Sequence, residues 1–542
     1  MPTKKLLSIT NLKKYFPVAK TSVFQRNQLY VRANEDITLD IYEGETIGIV
    51  GESGCGKSTL GRVLLQLYPQ TAGNTIYYGV TIDDFTPAYV DETLAHLDKY
   101  KKKLHKATAK REELEQRVEA EGEDKADFFL IQDRNLARCD EQLCLANIVK
   151  LAGGFFVEDP NGQGVTMLRR IFALNKKKNA LQVKRNDYAL RLEMLKAKGG
   201  DNAESGKKGT ELKKSMQQCD DAIDAYRKEI AAVEQQLDAL RSELSKKNPE
   251  FAKYEAMRDN GIDLARLQYS EMRLLRKDLQ IIFQDPYSSL NPRFTIGQLI
   301  EEGLVTHNFY NGDREMLREH VVNTLKECGL QEYMLFRYPH QFSGGQRQRI
   351  SIARALAVRP KFIVCDECVS ALDVSIQSQI INLLQELKEK EKLTYMFISH
   401  DLSVVRYISD RICVMYLGNI VELADAATIF NDPRHPYTVA LLSSIPTTDM
   451  ESLKKERILL EGNIPSPIKP PAGCKFHTRC YMACDKCKRV PPPLQEIEPG
   501  HFVACHFPER KLDENGNYLF EVPKTERKSA KMIDEIVEQE MS

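Results

Sequence analysis

Nine consecutive residues near the start of the chain have the composition of a phosphate-binding loop, with the pattern G-x-x-x-x-G-K-[ST]. Glycines let the backbone curl until successive N–H groups point at one anion. Lys57 supplies a positive charge for phosphates, and Ser58 supplies a hydroxyl ligand for Mg²⁺. The flanking residues predict a buried strand before the loop and a helix after it, whose positive N-terminus would face the phosphates. The candidate nucleotide contacts are therefore Gly51, Glu52, Ser53, Gly54, Cys55, Gly56, Lys57, Ser58 and Thr59.

Polar residues that follow apolar runs in the second half of the chain form the next set of candidates. Such runs are typical of parallel strands buried on both faces, and ligands of open α/β sheets bind at the carboxyl ends of these strands. Asp366 ends one run and is a candidate Mg²⁺ ligand together with Ser58, while the adjacent Glu367 is placed to polarise an attacking water. Gln284 ends another run and carries an amide suited to Mg²⁺ or water, and His400 ends a third and could contact the γ-phosphate. This pattern predicts phosphoryl transfer to water.

Two further features suggest nucleotide contacts. The segment Ser343-Gly344-Gly345-Gln346 precedes a predicted helix and has the character of a second anion-binding turn. Tyr15 and Phe16 lie in a polar surround near the N-terminus, where a ring could stack on a nucleobase or pack in the core. The sequence leaves both alternatives open for these rings.

Composition narrows the class of protein. The 542 residues predict two to four domains, and 77 basic residues balance 77 acidic ones, so the overall charge gives no indication of nucleic-acid binding. There is no run of 18 apolar residues to span a membrane, and the N-terminal residues lack a signal-peptide core. We therefore expect a cytoplasmic protein whose thirteen cysteines do not form disulfides.

Residues 81–270 are predicted to form a helical insertion, because heptads and dense charge replace the surrounding α/β pattern. Two long helices should fold back on each other across a stop and turn between Gly199-Gly200 and Gly209. Their seams imply packing and no chemistry. The longer seam comprises Leu212, Met216, Cys219, Ile223, Tyr226, Ile230, Val233, Leu237, Leu240 and Leu244.

A cysteine quartet near the C-terminus is a candidate metal site. Cys474, Cys480, Cys487 and Cys505 have the spacing C-x5-C-x6-C-x17-C, with Cys484 as a competing fifth thiol. Four thiolates suit an iron–sulfur cluster or Zn²⁺. The quartet lacks the C-x2-C spacing common at zinc sites, which weakens zinc, and reduced structural thiols are the third alternative.

Taken in order, the phosphate-binding loop, Gln284, the Phe342–Gln346 segment, Asp366-Glu367, Ser370–Asp373 and His400 resemble the motifs of an ABC-type ATPase domain. The resemblance implies an α/β P-loop fold with a RecA-like core, a β-subdomain and a helical signature subdomain. It also implies a head-to-tail dimer that binds ATP and Mg²⁺ between the P-loop of one domain and Ser343 to Gln346 of the other. Asp373 would join the ATP contacts, and Phe16 falls at the adenine-stacking position. Phe342 and Cys368 depart from the family pattern, in which Leu and Pro are usual.

Further segments narrow the resemblance to ATP-binding subunits of oligopeptide and dipeptide importers. These segments are Gln284–Arg293, His435–Thr438, Ile464–Pro467 and Gly473–Cys480. The resemblance implies an ATPase on the cytoplasmic face of the cell membrane that drives peptide uptake. Its partners would be a paralogous second ATPase, two transmembrane permeases and, indirectly, an extracytoplasmic peptide-binding protein. The related importer subunits carry a [4Fe–4S] cluster on such a cysteine quartet.

The domain prediction follows from these segments. The ATPase domain would comprise residues 1–80 and 271–445, interrupted by the coiled-coil insertion at 81–270, and residues 446–508 would form the Cys-rich region. Residues 509–542 are highly charged and predict a mobile tail or an appended helix.

Three other functions compete with peptide import. Close relatives also transport nickel, and an ABC head with a long coil could act on DNA. The order of motifs speaks against the DNA-acting class, whose coil follows the glutamine loop, because here Gln284 comes after the coil. No basic stripe supports nucleic-acid binding, and the intact Lys57, Glu367 and His400 argue against a non-catalytic regulator.

Overall fold

A computed structural model describes residues 4–20, 28–122, 127–159, 162–444 and 458–508. The predicted charged tail at 509–542 lies outside the described residues, as do residues 446–457 of the predicted Cys-rich region. The strands are β1 (Lys5–Pro17), β2 (Tyr30–Tyr42), β3 (Thr46–Val50), β4 (Ala72–Thr81), β5 (Gly261–Asp263), β6 (Leu279–Ile282), β7 (Phe362–Asp366), β8 (Thr394–Ile398), β9 (Arg411–Tyr416), β10 (Asn419–Asp425), β11 (Gln495–Glu498) and β12 (His501–Val503).

The helices of the first half lie between β3 and β5. They are α1 (Lys57–Leu64), α2 (Ile82–Phe85), α3 (Ala88–Ala95), α4 (Leu97–Glu121), α5 (Phe128–Ala152), α6 (Gln163–Ser205), α7 (Lys207–Lys247) and α8 (Pro249–Glu255). Those of the second half are α9 (Tyr269–Leu275), α10 (Pro286–Ser289), α11 (Ile296–Thr306), α12 (Arg314–Glu327), α13 (Gly344–Leu356), α14 (Val374–Glu391), α15 (Leu402–Ile408), α16 (Ala426–Asn431), α17 (Pro436–Ser443) and α18 (Asp485–Arg489).

The larger sheet holds the predicted catalytic strands side by side. Its order among the described strands is β11-β12-β10-β9-β3-β8-β7-β6, with β3 parallel to both β8 and β9, and β7 parallel to both β6 and β8. Every residue of β3, β7 and β8 is buried, as the apolar runs predict for strands covered on both faces. The ends of β3, β6, β7 and β8 therefore carry the P-loop, Gln284, Asp366-Glu367 and His400 to one edge.

A smaller antiparallel sheet has the order β2-β1-β4-β5. Its edge strand β5 lies within the predicted insertion, yet Ile262 pairs with Tyr77 of β4. Side chains of α3, α5 and α6, among them Leu94, Ile148 and Phe172, belong to the same apolar core as Leu7 and Ile9 of β1. The base of the insertion therefore packs into the sheet that it interrupts.

Beyond this base, α6 and α7 run antiparallel. Arg170 is paired with Glu229 at 2.7 Å, and Arg185, further along α6, is paired with Asp220, earlier in α7, at 3.2 Å. Helix α6 continues through the Gly199-Gly200 pair, and the turn lies at Gly206, inside the predicted stop region. Six members of the predicted seam are buried: Cys219, Ile223, Ile230, Val233, Leu237 and Leu244.

Candidate nucleotide site

The P-loop connects β3 to α1. Gly56 has a φ of 101°, and a Cβ at this position would lie 2.0 Å from the Ala33 carbonyl oxygen. A side chain here would therefore be strained and would also clash with backbone, so glycine is required. The loop delivers Lys57 and Ser58 as the first residues of α1, where backbone N–H groups are free of intrahelical partners.

The two ends of the predicted Mg²⁺ site meet as expected. The Ser58 hydroxyl donates to Asp366 Oδ1 at 2.5 Å, although the two residues are 308 positions apart, and Arg62 lies 3.4 Å from Asp366 Oδ2. Lys57 Nζ is nearly buried and donates to the carbonyl oxygens of Gly51 at 2.8 Å and Glu52 at 3.1 Å. The hydroxyl, the carboxylate and the ammonium thus occupy one small region, as phosphate and Mg²⁺ binding requires.

Three predicted catalytic side chains converge beside this region. Gln284 Nε2 donates to Glu367 Oε2 at 2.9 Å, and His400 Nδ1 lies 3.5 Å from the same oxygen. Glu367 has a φ of 48°, an uncommon conformation for a residue other than glycine, which its N–H bond to the Ile398 carbonyl helps to hold. The strained turn aims the carboxylate toward the edge of the sheet, and three strand ends contribute to a single polar cluster.

The signature segment lies at the start of α13. Ser343 caps the helix by accepting a bond from the Gln346 N–H, and the Gln346 side chain accepts one from the Ser343 N–H at 3.1 Å. Ser343 is exposed, and Gly344 and Gly345 are half-buried, while the unusual Phe342 is buried in the neighbouring apolar core. Asp373, exposed, occupies the N-cap position of α14. These groups remain available for a ligand or a partner.

The two aromatic candidates have different surroundings. The Tyr15 ring is buried, and its hydroxyl donates to Glu35 Oε1 at 2.8 Å. Phe16 is half-buried, with Lys14 Nζ 4.6 Å from its ring centroid and the Tyr68 ring edge-on at 5.5 Å. Tyr15 is therefore part of the core, whereas Phe16 keeps a partly exposed ring, and its stacking on a base stays a prediction.

Sequence reasoning missed the C-terminal contacts of this site. Arg479 forms two bonds to the Glu52 carboxylate, and the Tyr437 hydroxyl accepts a bond from the Glu52 N–H. Lys475 Nζ donates to Glu35 Oε2 at 2.8 Å. The two segments that hold these residues, His435–Thr438 and Gly473–Cys480, stand out in the sequence only for their resemblance to importer subunits and for two cysteines of the quartet, and nothing in them indicated a contact with the P-loop.

Opposite charges surround Glu35. Burial alone would raise the pKa of this carboxyl, but Lys475, Lys13 and Arg32 more than offset it and lower the pKa to about 2. Burial also lowers the pKa of Lys475, which would favour its neutral form. We consider the pair charged, because Lys475 also donates to the Leu417 carbonyl and to Asn419 Oδ1, so its ammonium has acceptors around it.

The cysteine quartet gathers in one neighbourhood. Burial raises the pKa of Cys474 to about 11 and that of Cys480 to about 12, and in both cases Cys487 and Cys505 add to the rise as nearby negative charges. These shifts favour neutral thiols, and the four sulfurs are donors of the kind that an iron–sulfur cluster or Zn²⁺ takes once they are deprotonated. Across the described ranges, however, no group of three or more His, Cys, Asp or Glu side chains has the arrangement of a metal site.

Among the described residues, none of the helices is both long and apolar enough to cross a membrane.

Comparison with known proteins agrees with this architecture. The ABC transporter family model matches residues 34–154 and 256–370, and the model of the oligopeptide/dipeptide transporter C-terminal region matches residues 421–487. Two proteins of Bacillus subtilis (strain 168), YkfD and AppF, are each 54% identical over 249 residues, which are 46% of this chain and 75% of each relative. AppF is described as an oligopeptide transport ATP-binding protein. Among solved structures, cbiO1 from Clostridium perfringens matches with 16% identity and a TM-score of 0.39, covering 79% of this chain and 92% of its own.

Proposed function

This chain belongs to the family of ABC transporter ATP-binding subunits for oligopeptides, and from this premise we propose that it hydrolyses ATP to drive peptide uptake through separate membrane subunits. The observation that carries the proposal is the single polar site in which Ser58 meets Asp366 and Gln284 meets Glu367. It occurs in a chain whose residues 421–487 match the oligopeptide/dipeptide transporter C-terminal region.

Each residue of the site has a different role in hydrolysis. Lys57 and the P-loop N–H groups hold the phosphates, Glu367 orients and deprotonates the attacking water, and His400 contacts the γ-phosphate. Mg²⁺, held by Ser58, Asp366 and Gln284, would neutralise charge on the phosphate oxygens. Phe16 stacks on the adenine.

The partly exposed signature segment, Ser343 to Gln346, supports a dimer. Ser343, Gly344, Gly345, Gln346 and Asp373 would contact ATP bound to the P-loop of a second, paralogous ATPase subunit in a head-to-tail pair. Two transmembrane permeases complete the importer at the cytoplasmic face of the membrane, where this chain is peripheral, and an extracytoplasmic peptide-binding protein supplies the cargo. Nucleic acid has no part in this assembly.

The insertion supplies a helical module whose base shares the core of the smaller sheet. We assign residues 81–270 to it, with the antiparallel α6–α7 pair as a coiled coil, and residues 1–80 and 271–445 to the ATPase domain. Residues 446–508 form the Cys-rich region, and 509–542 form a charged tail. The ion pairs between α6 and α7 and their buried seam support the coiled coil.

We further propose a [4Fe–4S] cluster on Cys474, Cys480, Cys487 and Cys505. The chemical kind of the donors supports it, and the backbone bond of 2.8 Å from the Cys474 N–H to the Cys487 carbonyl places two of them side by side. Zn²⁺ on the same thiols is the competing proposal.

Purification from the native membrane tests the assembly. The chain carrying Glu367→Gln, solubilised with ATP to favour the closed dimer, should co-purify with a second ATPase and two permeases. Reconstituted in vesicles, the unmodified complex should import labelled peptides when ATP is present, and Glu367→Gln should not. ATP-driven entry of Ni²⁺ without peptide would move the assignment to nickel import, and recovery of DNA without permeases would overturn transport.

A further inference from the structure

The second residue of the P-loop is held by the C-terminal part of the chain. Arg479 Nη1 donates to Glu52 Oε2 at 2.7 Å, and Nη2 donates to Oε1 at 3.0 Å. On the main-chain side, the Glu52 N–H donates to the Tyr437 hydroxyl at 2.8 Å. Both the side chain and the backbone of this residue are therefore fixed by residues roughly 400 positions away.

The residues that hold Glu52 are themselves buried and closely packed. Tyr437 is fully buried, and its ring packs against Tyr416 at 4.9 Å and Phe476 at 5.4 Å between centroids. The Arg479 side chain is only 7% exposed, against 24% for Glu52. A planar guanidinium in two parallel bonds to a carboxylate fixes orientation as well as distance.

The contact between Arg479 and Glu52 is linked to Lys57, the proposed phosphate-binding lysine, through Glu52 alone. The Glu52 carbonyl oxygen accepts a bond from Lys57 Nζ at 3.1 Å. A shift of Glu52 would therefore move an acceptor of the ammonium that phosphates must engage.

A second anchor lies on the adenine side of the site. Lys475, from the same segment as Arg479, donates to Glu35 Oε2, and Glu35 Oε1 accepts the bond from the Tyr15 hydroxyl. Tyr15 precedes Phe16, the proposed adenine-stacking ring. One C-terminal segment thus supports both the phosphate end and the base end of the nucleotide site.

Building on the nucleotide site proposed above, we propose that Arg479 of the Cys-rich region and Tyr437 of the ATPase domain are positioning residues that hold the P-loop in its ATP-binding shape. Through Arg479, the Cys-rich region is then a working part of the nucleotide site. A charge-assisted paired bond such as Arg479–Glu52 is roughly twice as strong as a neutral hydrogen bond, so its loss should be measurable as weaker ATP binding. Among the described residues, no recorded bond joins Arg479 or Tyr437 to the cluster of Gln284, Glu367 and His400. Because this cluster is left intact, we expect kcat to change little.

The full chain is the material for the test, with a fluorescent ATP analogue for Kd and steady-state hydrolysis for KM and kcat. Arg479→Gln should raise Kd and KM about tenfold or more while kcat stays within about twofold. Arg479→Lys should recover only part of the loss, because it restores the charge but not the paired bonds. Glu52→Gln alone, and Glu52→Gln combined with Arg479→Gln, should raise Kd and KM as much as Arg479→Gln alone, because all three proteins lack the same interaction.

Tyr437→Phe keeps the ring and removes only the acceptor, so it tests the positioning of the Glu52 N–H even if Arg479→Gln fails to fold, while Arg479→Lys tests the contribution of the Cys-rich region. We expect Kd to rise roughly fivefold, the value of one neutral hydrogen bond. Lys488→Gln is the matched control, because Lys488 lies in the same region but pairs with exposed Asp485 at 3.0 Å. Parent-like Kd in a folded Tyr437→Phe chain, or losses in kcat alone, would overturn the proposal.

Discussion

Replacing Glu367 by glutamine separates nucleotide binding from hydrolysis. The substitution keeps the size of the side chain. In the native chain Gln284 Nε2 donates to the Glu367 carboxylate at 2.9 Å, and the amide oxygen of the variant can still accept this bond. The replacement removes the negative charge and the basic oxygen that would take a proton from water. The groups assigned to phosphates and Mg²⁺, Lys57, Ser58 and Asp366, keep their bonds to one another and to the P-loop.

The size of the effect follows from this division. A positioned general base contributes about 10²- to 10⁴-fold, which corresponds to roughly 3 to 5 kcal/mol of the activation barrier. Because Gln284 and His400 still surround position 367, the water site should keep its shape and the loss should come from basicity. We expect kcat to fall by at least about 10²-fold while Kd for ATP stays within about twofold of the native value.

Single-turnover hydrolysis and equilibrium binding of ATP measure the two quantities independently. Glu386→Gln is the matched control, since Glu386 is an exposed glutamate on α14, and it should hydrolyse ATP at the native rate. The Glu367→Gln chain should also gather as a closed dimer when ATP and Mg²⁺ are present. A kcat within tenfold of native, or an equal loss in ATP affinity, would refute Glu367 as the base.

Three further predictions concern regions outside the hydrolytic cluster. Anaerobically purified protein should contain iron and sulfide at about four each per chain with broad visible absorption, and Cys480→Ser should abolish both; stoichiometric zinc without iron would decide for the rival metal. Glu35→Gln should lower the free energy of unfolding by up to about 3 kcal/mol, because the native pKa of Glu35 is about 2 against an ordinary 4.5. This stabilisation is complete above the unfolded pKa and lost as pH falls from about 5 toward 2, so denaturation midpoints of the two proteins should converge in acid. Replacing residues 189–215 by a short Gly/Ser turn should preserve ATP affinity and hydrolysis, because the apolar cluster at the base of α6 and α7 lies outside the deletion; insoluble protein or lost ATP binding would contradict it.

The nucleotide site was predictable because its signals are local. The P-loop needs glycine conformations and a lysine at fixed spacing, and the predicted catalytic residues follow buried apolar strands that can be recognised one at a time. Their meeting then follows from a parallel sheet, which brings carboxyl ends to one edge. The structure places Ser58 on Asp366 and Gln284 on Glu367 as this reasoning requires.

Contacts that join distant segments had no such signal. Glu52 and Arg479 are 427 positions apart, and no periodicity or turn chemistry relates two single charges at that distance. The short strand β5 is similar, since its three residues carry too little pattern to reveal pairing with β4. Helix α6 passes through Gly199-Gly200 against local preference; each glycine costs about 1 kcal/mol in a helix.

The position of the insertion explains how a long helical module can interrupt an ATPase domain. Its chain leaves at the end of β4 and returns at β5, where Thr81 pairs with Gly261 and the Ile82 N–H donates to the Asn260 carbonyl at 2.8 Å. Both ends are thus fixed by the sheet, and each doubling of the intervening length costs only about 0.6 kcal/mol of closure entropy. The first helices lie over this sheet and share its core, whereas the distal parts of α6 and α7 bury their seam against each other. Lengthening the distal hairpin therefore changes neither the sheet edge that carries the catalytic residues nor the P-loop, which is why the test deletion is confined to residues 189–215.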